Sequence, residues 1–555
     1  MPHPKQHITD LADICYRKGI RKVVISPGSR SAPLINAFYD RFGDSCISIV
    51  DERSAAFFAL GMASYSGIPV ILLCTSGTAL LNYAPALAEA YYQHITLLAM
   101  TADRPHECID QQDNQTLRQK GIYSNYIKGS FELPQAITTK HELWHAHRII
   151  NDAVNLCTSS SNGPVHLNVP LTEPLYDTLP PVSEKLKIIH YEKPEITLSF
   201  SGEMIREWHE ARKIMIIHGQ DFPGSATSHL LPSLSNDSRI ITLAENIANT
   251  PGEKIIANSN LVLSLNKNNS PEYPDLILHS GGQVVSKALT GYLRRTDNGK
   301  CWRIGTDKGI IDTFKKVTRV IPHAPDTFYH ALSRIDKAEV ESTYRDSWMA
   351  AAIKANSAAN EFIHDAPFSD MWVFNHVFHL IPAGTLVVLG NSSIVRYAQL
   401  FPANKTLDYY SNRGVSGIDG CLSTAAGIAF SSNKPTLAIL GDLSFIYDSN
   451  ALWNRELSPN LRILVINNEG GEIFHILKGP SDQPAFSKFV EAHHPVNIRK
   501  LAKAFGLEYF FADDVINLIN QWDKFIDNRP KPALFEVKTD PKLSAHIFRK
   551  LMALS

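Results

Sequence analysis

The chain has 555 residues, too many for one hydrophobic core, so three or four domains are expected. Its 44% hydrophobic and 20% charged residues suit a soluble globular protein, and a net charge of −1 argues against nucleic-acid or membrane-surface partners. Seven scattered cysteines without zinc-like spacing, no apolar run near the ~20 residues of a bilayer span, and a polar N-terminus without a signal-peptide core point to a cytoplasmic protein with reduced thiols.

Taken in chain order, the first block carries short apolar runs at Val23–Ile25, Val70–Cys74 and Ile95–Met100. Each closes on small or polar residues: Ser26 to Arg30, Thr75 to Thr78 and Thr101 to Pro105. Such runs predict buried parallel strands. The run Ile47–Val50 leads through Asp51-Glu52-Arg53 into a helical stretch at Phe57–Ala63, and Ala79–Ala90 predicts the clearest helix of the block. Pro170 to Pro194 is proline-rich and predicts a linker. A second block follows, with runs at Lys213–Ile217, Arg239–Leu243, Leu261–Leu265, Asp275–His279 and Cys301–Ile304. Val320 to Pro367 is polar with helical character and predicts a second connector. The third block holds Leu386–Leu389, Leu407–Tyr410, Thr436–Leu440, Arg462–Ile466 and Ala533–Val537. The expected class is therefore α/β, with three consecutive domains and mainly parallel sheets. Their expected bounds are 1–180, 195–340 and 360–555. Blocks one and three both put Gly/Ser turns at strand ends, which hints at a duplicated architecture.

Two strand ends carry the sharpest chemistry. Gly441-Asp442 closes the run Pro435–Leu440, and Asn467-Asn468 closes Leu461–Ile466. Adjacent parallel strands would bring both pairs to the carboxyl edge, where open α/β sheets bind ligands. A carboxylate, a carboxamide and a nearby backbone carbonyl make an all-oxygen site suited to Mg²⁺ that also holds a phosphate.

This spacing resembles the cofactor motif of the thiamine-diphosphate enzymes, which opens with Gly-Asp and closes with Asn-Asn. One position departs: the family's usual third residue is Gly, and here it is Leu443. The resemblance implies the thiamine-diphosphate-binding fold, with a first domain for the aminopyrimidine ring and a third for the diphosphate and metal. It implies thiamine diphosphate and Mg²⁺ (or Mn²⁺) as cofactors, and a homodimer or dimer of dimers as the active assembly. Metal ligands would be Asp442, Asn468 and Gly470. Glu52 would hydrogen-bond N1′ of the aminopyrimidine and favour the tautomer that removes the thiazolium proton. The further cofactor residues implied are Thr75, Gly77, Asn391, Ser416, Gly441, Leu443, Ser444, Gly471 and Ile473. Ile418 would prop the cofactor into its bent shape.

The polar loops Ser26 to Ser31, Thr101 to Pro105, Asp113 to Thr116, Ser280 to Lys287, Gly390 to Ser392 and Ser411 to Gly420 resemble one branch of this family. That branch decarboxylates 2-oxoglutarate and adds the product in a 1,4 sense to isochorismate, in menaquinone biosynthesis. Both substrates are dianions, and arginine forks bind carboxylates bidentately. The resemblance implies Arg30, Arg104, Lys287, Arg396 and Arg413 as substrate cations. Ser29, Asn114, Gln115 and Ser392 would hydrogen-bond substrate oxygens, and Phe474 and Leu477 would form an apolar wall. Catalytic roles fall to Glu52, Gln115, Arg396 and Arg413.

Arg53 and Arg118 are expected to make only surface ion pairs. His493-His494 lacks partners in sequence and is read as exposed or capping. Glu472-x-x-His475 has no second copy, so a di-metal bundle is not supported. Two other functions compete: another enzyme of the same superfamily, either acetolactate-synthase-like or a simple 2-oxo acid decarboxylase, and a catalytically silent protein that binds a nucleotide-like ligand or serves as a regulatory partner. Arg30, Arg104, Arg396 and Arg413 argue against the first, and Glu52 against the second.

Overall fold

The computed structural model describes residues 2–159, 161–192, 197–267, 270–307, 309–336, 340–476 and 483–554. Contacts divide the chain into two compact units. The first comprises Met1–Pro194, Gly414–Asn433 and Tyr447–Ser458; the second comprises Glu195–Arg413, Lys434–Ile446 and Pro459–Ser555.

In the first unit, β1 (Lys22–Ile25), β2 (Cys46–Ser48), β3 (Val70–Cys74), β4 (Leu97–Asp103), β5 (Ser130–Glu132) and β6 (Val165–Pro170) form one parallel sheet. Their order is β2-β1-β3-β4-β6-β5. β3 and β4 are buried along their whole length, which explains their continuous apolar runs. Helix Glu52–Ser66 starts where Asp51 Oδ1 accepts the Ser54 N–H at 2.8 Å, and ends at left-handed Gly67. The expected helix at Ala79–Ala90 is split into a 3₁₀ turn, Gly77–Tyr83, and an α-helix, Ala84–Gln93. Pro85, which has no N–H to give, sits in the first turn of the latter. The linker after Pro170 has no regular element among its described residues, but it is tied down. Asp10 accepts the backbone and hydroxyl of Ser183, and Asn151 bonds Lys187 and Ile189.

Helix Cys421–Ser431 crosses Glu52–Ser66 within the first unit at very short range. A Cβ on Gly427 would lie 2.0 Å from the Phe58 carbonyl oxygen, and one on Gly61 would lie 2.1 Å from that of Thr424.

The second unit holds two parallel sheets. β7 (Ile214–His218), β8 (Ile240–Ala244), β9 (Ile255–Ile256), β10 (Leu276–Ser280), β11 (Lys300–Ile304) and β12 (Val317–Ile321) are ordered β12-β11-β10-β7-β8-β9. β13 (Leu386–Leu389), β14 (Asp408–Ser411), β15 (Thr436–Gly441), β16 (Leu461–Asn467), β17 (Glu508–Ala512) and β18 (Ala533–Lys538) are ordered β14-β13-β15-β16-β18-β17. The first and third sheets therefore share one strand order. Along β7, Ile214 and Ile216 face one core while Met215 and Ile217 face another. That second core runs on into the third sheet through Val387 and Leu437.

Two expectations are corrected. Leu261–Leu265 is not a strand but the body of helix Ser259–Leu265, because a short apolar run alone does not distinguish the two. Val320 to Pro367 is more than a connector: helix Tyr344–His364 buries Trp348, Ala352, Ala355 and Ile363 in the shared core.

Gly427→Ala should lower stability. Alanine is the better helix former by about 1 kcal/mol, but overpacking typically costs about 1–3 kcal/mol, and the obstruction here is backbone. A denaturant titration should show an earlier first transition; an unchanged one would mean the two helices separate freely.

Candidate active site

In the third sheet β13 has β14 on one side and β15 on the other, so chain order reverses between β13 and β15. The crevice at the carboxyl ends of such strands is the ligand position of open α/β sheets. Gly441 pairs with Ile466, so Asp442 and Asn468 leave neighbouring strands at the same edge, as the sequence implied. Asp442 does not enter a loop; it opens the short helix Asp442–Tyr447. Its Oδ1 accepts the Leu443 N–H at 2.6 Å, and its Oδ2 accepts the Gly470 N–H at 2.9 Å. His494 Nε2 lies 3.2 Å from Oδ2. His494, set aside on sequence, thus belongs to the site, and its hydrogen bond to Asp442 raises its pKa. His493 bonds the Glu469 carbonyl instead.

Asn468 is held by groups the sequence did not single out. Its Nδ2 donates to Asp370 Oδ2 at 3.1 Å and to Glu472 Oε2 at 3.4 Å. Tyr397 donates to Glu472 Oε1 at 2.7 Å, and the Thr539 and Ser544 hydroxyls donate to Asp370 Oδ1. Both carboxyls are buried. Burial pushes Glu472 well above the carboxylate range, and the adjacent Asp370 charge pushes it further. Burial also raises Asp370, against its hydrogen bonds. With the Asn468 nitrogen committed to these carboxyls, its oxygen is the atom left for a cation. That oxygen, the Asp442 carboxylate, and Gly470 tethered to Asp442 through its N–H, form a donor set that fits a divalent metal with phosphate.

Next to this set, Asn391 Nδ2 donates to the Asn412 carbonyl at 2.7 Å, while Arg413 Nη1 donates to Asn391 Oδ1 at 2.9 Å. Arg396 donates to the Ser392 carbonyl, and burial lowers its pKa. Ser392 takes φ 67° ahead of helix Ser393–Ala398. Buried Arg413 and half-buried Arg396 are thus anchored on consecutive residues of one loop. Ser444 and Ile473 are buried, Phe474 is half-buried, and exposed Lys287 opens helix Lys287–Leu293. Gly471 donates its N–H to the Glu491 carbonyl. Leu477 lies outside the described residues. A cavity of about 770 Å³ at the ends of β16, β17 and β18 adjoins this crevice and shares His494 with it.

In the first unit, chain order reverses between β1 and β3. The loops there touch closely: a Cβ on Gly28 would lie 2.3 Å from that of Thr75. Thr75 Oγ1 and Ser76 Oγ are buried without a hydrogen-bond partner among the described residues, which suits a bound polar group. Gly77 (φ 83°) packs against Gln115 (φ 54°), and its N–H donates to Gln119 Oε1 at 3.1 Å. Glu52 sits half-buried at the start of its helix, and burial raises its pKa. Arg30 is almost fully buried; it donates to the Leu171 carbonyl at 3.1 Å and pairs with Glu173 at 3.1 Å. Burial lowers the Arg30 pKa, and the Arg104 charge lowers it further. Asn114 and Gln115 are exposed, Ser29 lies in the loop after β1, and half-buried Ser416 takes φ 64°. Gly414 and Val415 donate their N–H groups to buried Glu89 at 2.6 and 2.7 Å, which fixes the turn that leads to Ile418. Arg118 makes the exposed pair with Asp110 expected of it. Arg53 does not; it bonds the Tyr447 carbonyl and lies over that ring.

Residues 8–122 match the N-terminal TPP binding domain of thiamine pyrophosphate enzymes, and residues 389–537 match the C-terminal TPP binding domain. Fold and site together are those of a thiamine pyrophosphate enzyme. Relatives named 2-succinyl-5-enolpyruvyl-6-hydroxy-3-cyclohexene-1-carboxylate synthase match nearly end to end. The protein from Desulfotalea psychrophila is 40% identical over 97% of this chain and 99% of its own. Those from Flavobacterium psychrophilum and Flavobacterium johnsoniae are 35% and 36% identical over 98% and 97% of both chains. The chain belongs to the 2-succinyl-5-enolpyruvyl-6-hydroxy-3-cyclohexene-1-carboxylate synthase family. That membership sets aside the alternative of an acetolactate-synthase-like enzyme or simple 2-oxo acid decarboxylase.

Asp370→Ala should strand the Asn468 amide and the buried Glu472 carboxyl. Partner groups behind a metal ligand typically contribute about 10- to 100-fold in affinity. Titration of the apoprotein with Mg²⁺ at fixed thiamine pyrophosphate should show a loss of that order; unchanged Mg²⁺ affinity would show that Asp370 does not orient Asn468.

Proposed function

We propose that this chain decarboxylates 2-oxoglutarate and adds the succinyl group in a 1,4 sense to isochorismate. The products are 2-succinyl-5-enolpyruvyl-6-hydroxy-3-cyclohexene-1-carboxylate and CO₂, in menaquinone biosynthesis. The observation that carries this reading is the pair of arginines, buried Arg413 and half-buried Arg396, anchored at the carboxyl edge of β13 and β14 in a member of this family. Both substrates carry two carboxylates, and guanidinium forks bind carboxylates bidentately.

When bound, thiamine pyrophosphate supplies the nucleophilic carbon and the electron sink for loss of CO₂. Asp442, Asn468 and the Gly470 carbonyl would hold Mg²⁺ or Mn²⁺, and the backbone around Asn391, Leu443 and Ser444 would receive the diphosphate. Glu52 would hold a proton at the aminopyrimidine nitrogen. Burial raises its pKa, the direction expected of a carboxyl that shares a proton with a neighbouring group. Arg30, Arg104, Lys287, Arg396 and Arg413 would bind and orient the substrate carboxylates, with Ser29, Asn114, Gln115 and Ser392 as hydrogen-bond partners. Ile418, Ile473 and Phe474 would exclude water. The working division remains three domains, at 1–180, 195–340 and 360–555. The assembly in this reading is a homodimer or dimer of dimers, and the compartment is the cytoplasm. No helix among the described residues is long and apolar enough to cross a membrane.

The test combines purified protein, thiamine pyrophosphate, Mg²⁺ and 2-oxoglutarate, then adds isochorismate and follows its loss with product mass. Loss that requires every component supports the reading. CO₂ release with isochorismate untouched would overturn the acceptor. Glu52→Gln should fold normally and lose about 10²- to 10⁴-fold in turnover; turnover near that of the parent would remove Glu52 from its role.

A further inference from the structure

The second sheet poses a question that the proposed function does not answer. Its strand order reverses between β7 and β10, the place where a ligand would sit. The protein's own backbone fills that crevice. Gly219 donates to the Ser280 carbonyl, Gly282 to that of Gln220, and Gln220 to that of Gln283. A Cβ on Gly219 would lie 2.0 Å from the Gly282 oxygen. His218 Nδ1 and Ser280 Oγ close the two strand ends at 2.9 Å.

The loops at this edge reach β14 and the loop of Arg396 instead. β14 is the edge strand of the third sheet and runs directly into Asn412-Arg413. The Asp408 N–H turns inward to the Thr385 carbonyl, so Tyr409 and Ser411 present their backbone groups outward. Unpaired edge groups are a liability, and side chains from the second sheet pair them. Asn249 acts as a backbone amide would: Nδ2 donates to the Tyr409 carbonyl and Oδ1 accepts the Tyr409 N–H, both at 2.8 Å. Gln220 Nε2 donates to the Ser411 carbonyl at 2.7 Å. Asn246 Nδ2 donates to the Ala398 carbonyl at 2.7 Å, at the end of the helix that carries Arg396. Glu245, 4% exposed, accepts the N–H groups of Val285 and Ser286, both at 2.7 Å, immediately ahead of Lys287. Burial, partly offset by those two N–H groups and the charge of Arg413, pushes its carboxyl up to about 7.

We infer that the loops closing the second sheet are a positioning platform for the substrate cations, in which Asn249 sets the place of Arg413 and Glu245 that of Lys287. The inference rests on the reading of Lys287 and Arg413 as substrate cations. It gives the middle domain a share in affinity for anionic substrates.

The decisive experiment is steady-state kinetics on the full-length holoenzyme for Asn249→Gly, Glu245→Gln, Lys287→Ala and Arg413→Ala. Asn249 adopts φ 50°, which glycine takes without strain, so its replacement removes the carboxamide and spares the loop. In Asn249→Gly and Glu245→Gln the KM for 2-oxoglutarate or isochorismate should rise about tenfold, equivalent to about 1.4 kcal/mol of uniform binding lost. The kcat and the thiamine pyrophosphate–Mg²⁺ affinity, titrated directly, should hold. Adding Glu245→Gln to Lys287→Ala should cost less than the two single effects combined, as for groups acting through one another. Unchanged KM in Asn249→Gly, with a raised KM in Arg413→Ala, would overturn the platform and leave the proposed function standing. Unchanged KM in both Lys287→Ala and Arg413→Ala would remove the substrate-cation reading and the inference with it. An equal loss of cofactor affinity would mark a purely structural role and overturn it too. Should Glu245→Gln fail to fold, Asn249→Gly decides alone.

Discussion

The site depends on one backbone constraint, the parallel register that sets Gly441 opposite Ile466. Parallel strands need a crossover between them, so residues far apart in sequence can share one edge. Here the crossover delivers Asp442 and Asn468 together, and the Gly470 N–H to Asp442 Oδ2 bond locks the second strand's exit to the first. Gly470 takes φ 159°, and a Cβ there would lie 2.7 Å from the Glu491 carbonyl oxygen. The close approach, more than the dihedral, is what demands glycine.

That geometry carries an electrostatic cost. Asp370 and Glu472 are buried together, with burial raising both and the Asp370 charge raising Glu472 further, so the pair is strongly disposed to keep a proton. An apolar pair of similar volume would often be as stable or more so. What the carboxyls add is direction. Both accept from the same amide nitrogen, and an amide with its nitrogen fixed has its oxygen fixed. Tyr397, Thr539 and Ser544 satisfy the remaining carboxyl oxygens, so the network is costly but not frustrated.

Strands whose buried runs are unbroken were legible in the sequence. Val70–Cys74 and Leu386–Leu389 coincide with β3 and β13. β6 was not, because its run is interrupted by His166 and Asn168. Both are buried and satisfied: Thr101 bonds each, and Asn168 also reaches Asp103. No window of hydrophobicity registers a polar residue whose partner lies on another strand. The same holds for the site. Asp442 and Asn468 announce themselves by ending apolar runs. Asp370 opens a helix, and His494 lies 52 residues after Asp442 in a polar stretch, so only the fold brings them in. Glu245 could have been noticed, since it ends the run Ile240–Ala244 as Asp442 ends its own.

The three sheets also show why strand order alone does not make a binding site. Each has a reversal point, and topology treats them alike. In the first sheet the reversal leaves Thr75 and Ser76 hydroxyls buried without partners among the described residues, and in the third it gathers Asp442, Asn391 and Arg413. The Thr75 and Ser76 hydroxyls gain by meeting a polar ligand. In the second sheet every loop group named at the reversal is already spent on another: His218 on Ser280, Gly282 on Gln220, Glu245 on Val285 and Ser286. A crevice with its hydrogen bonds internally paired gains little from a ligand that must displace them. It is rigid for the same reason, and rigidity is what an edge strand bearing Arg413 requires of the loops that pair with it.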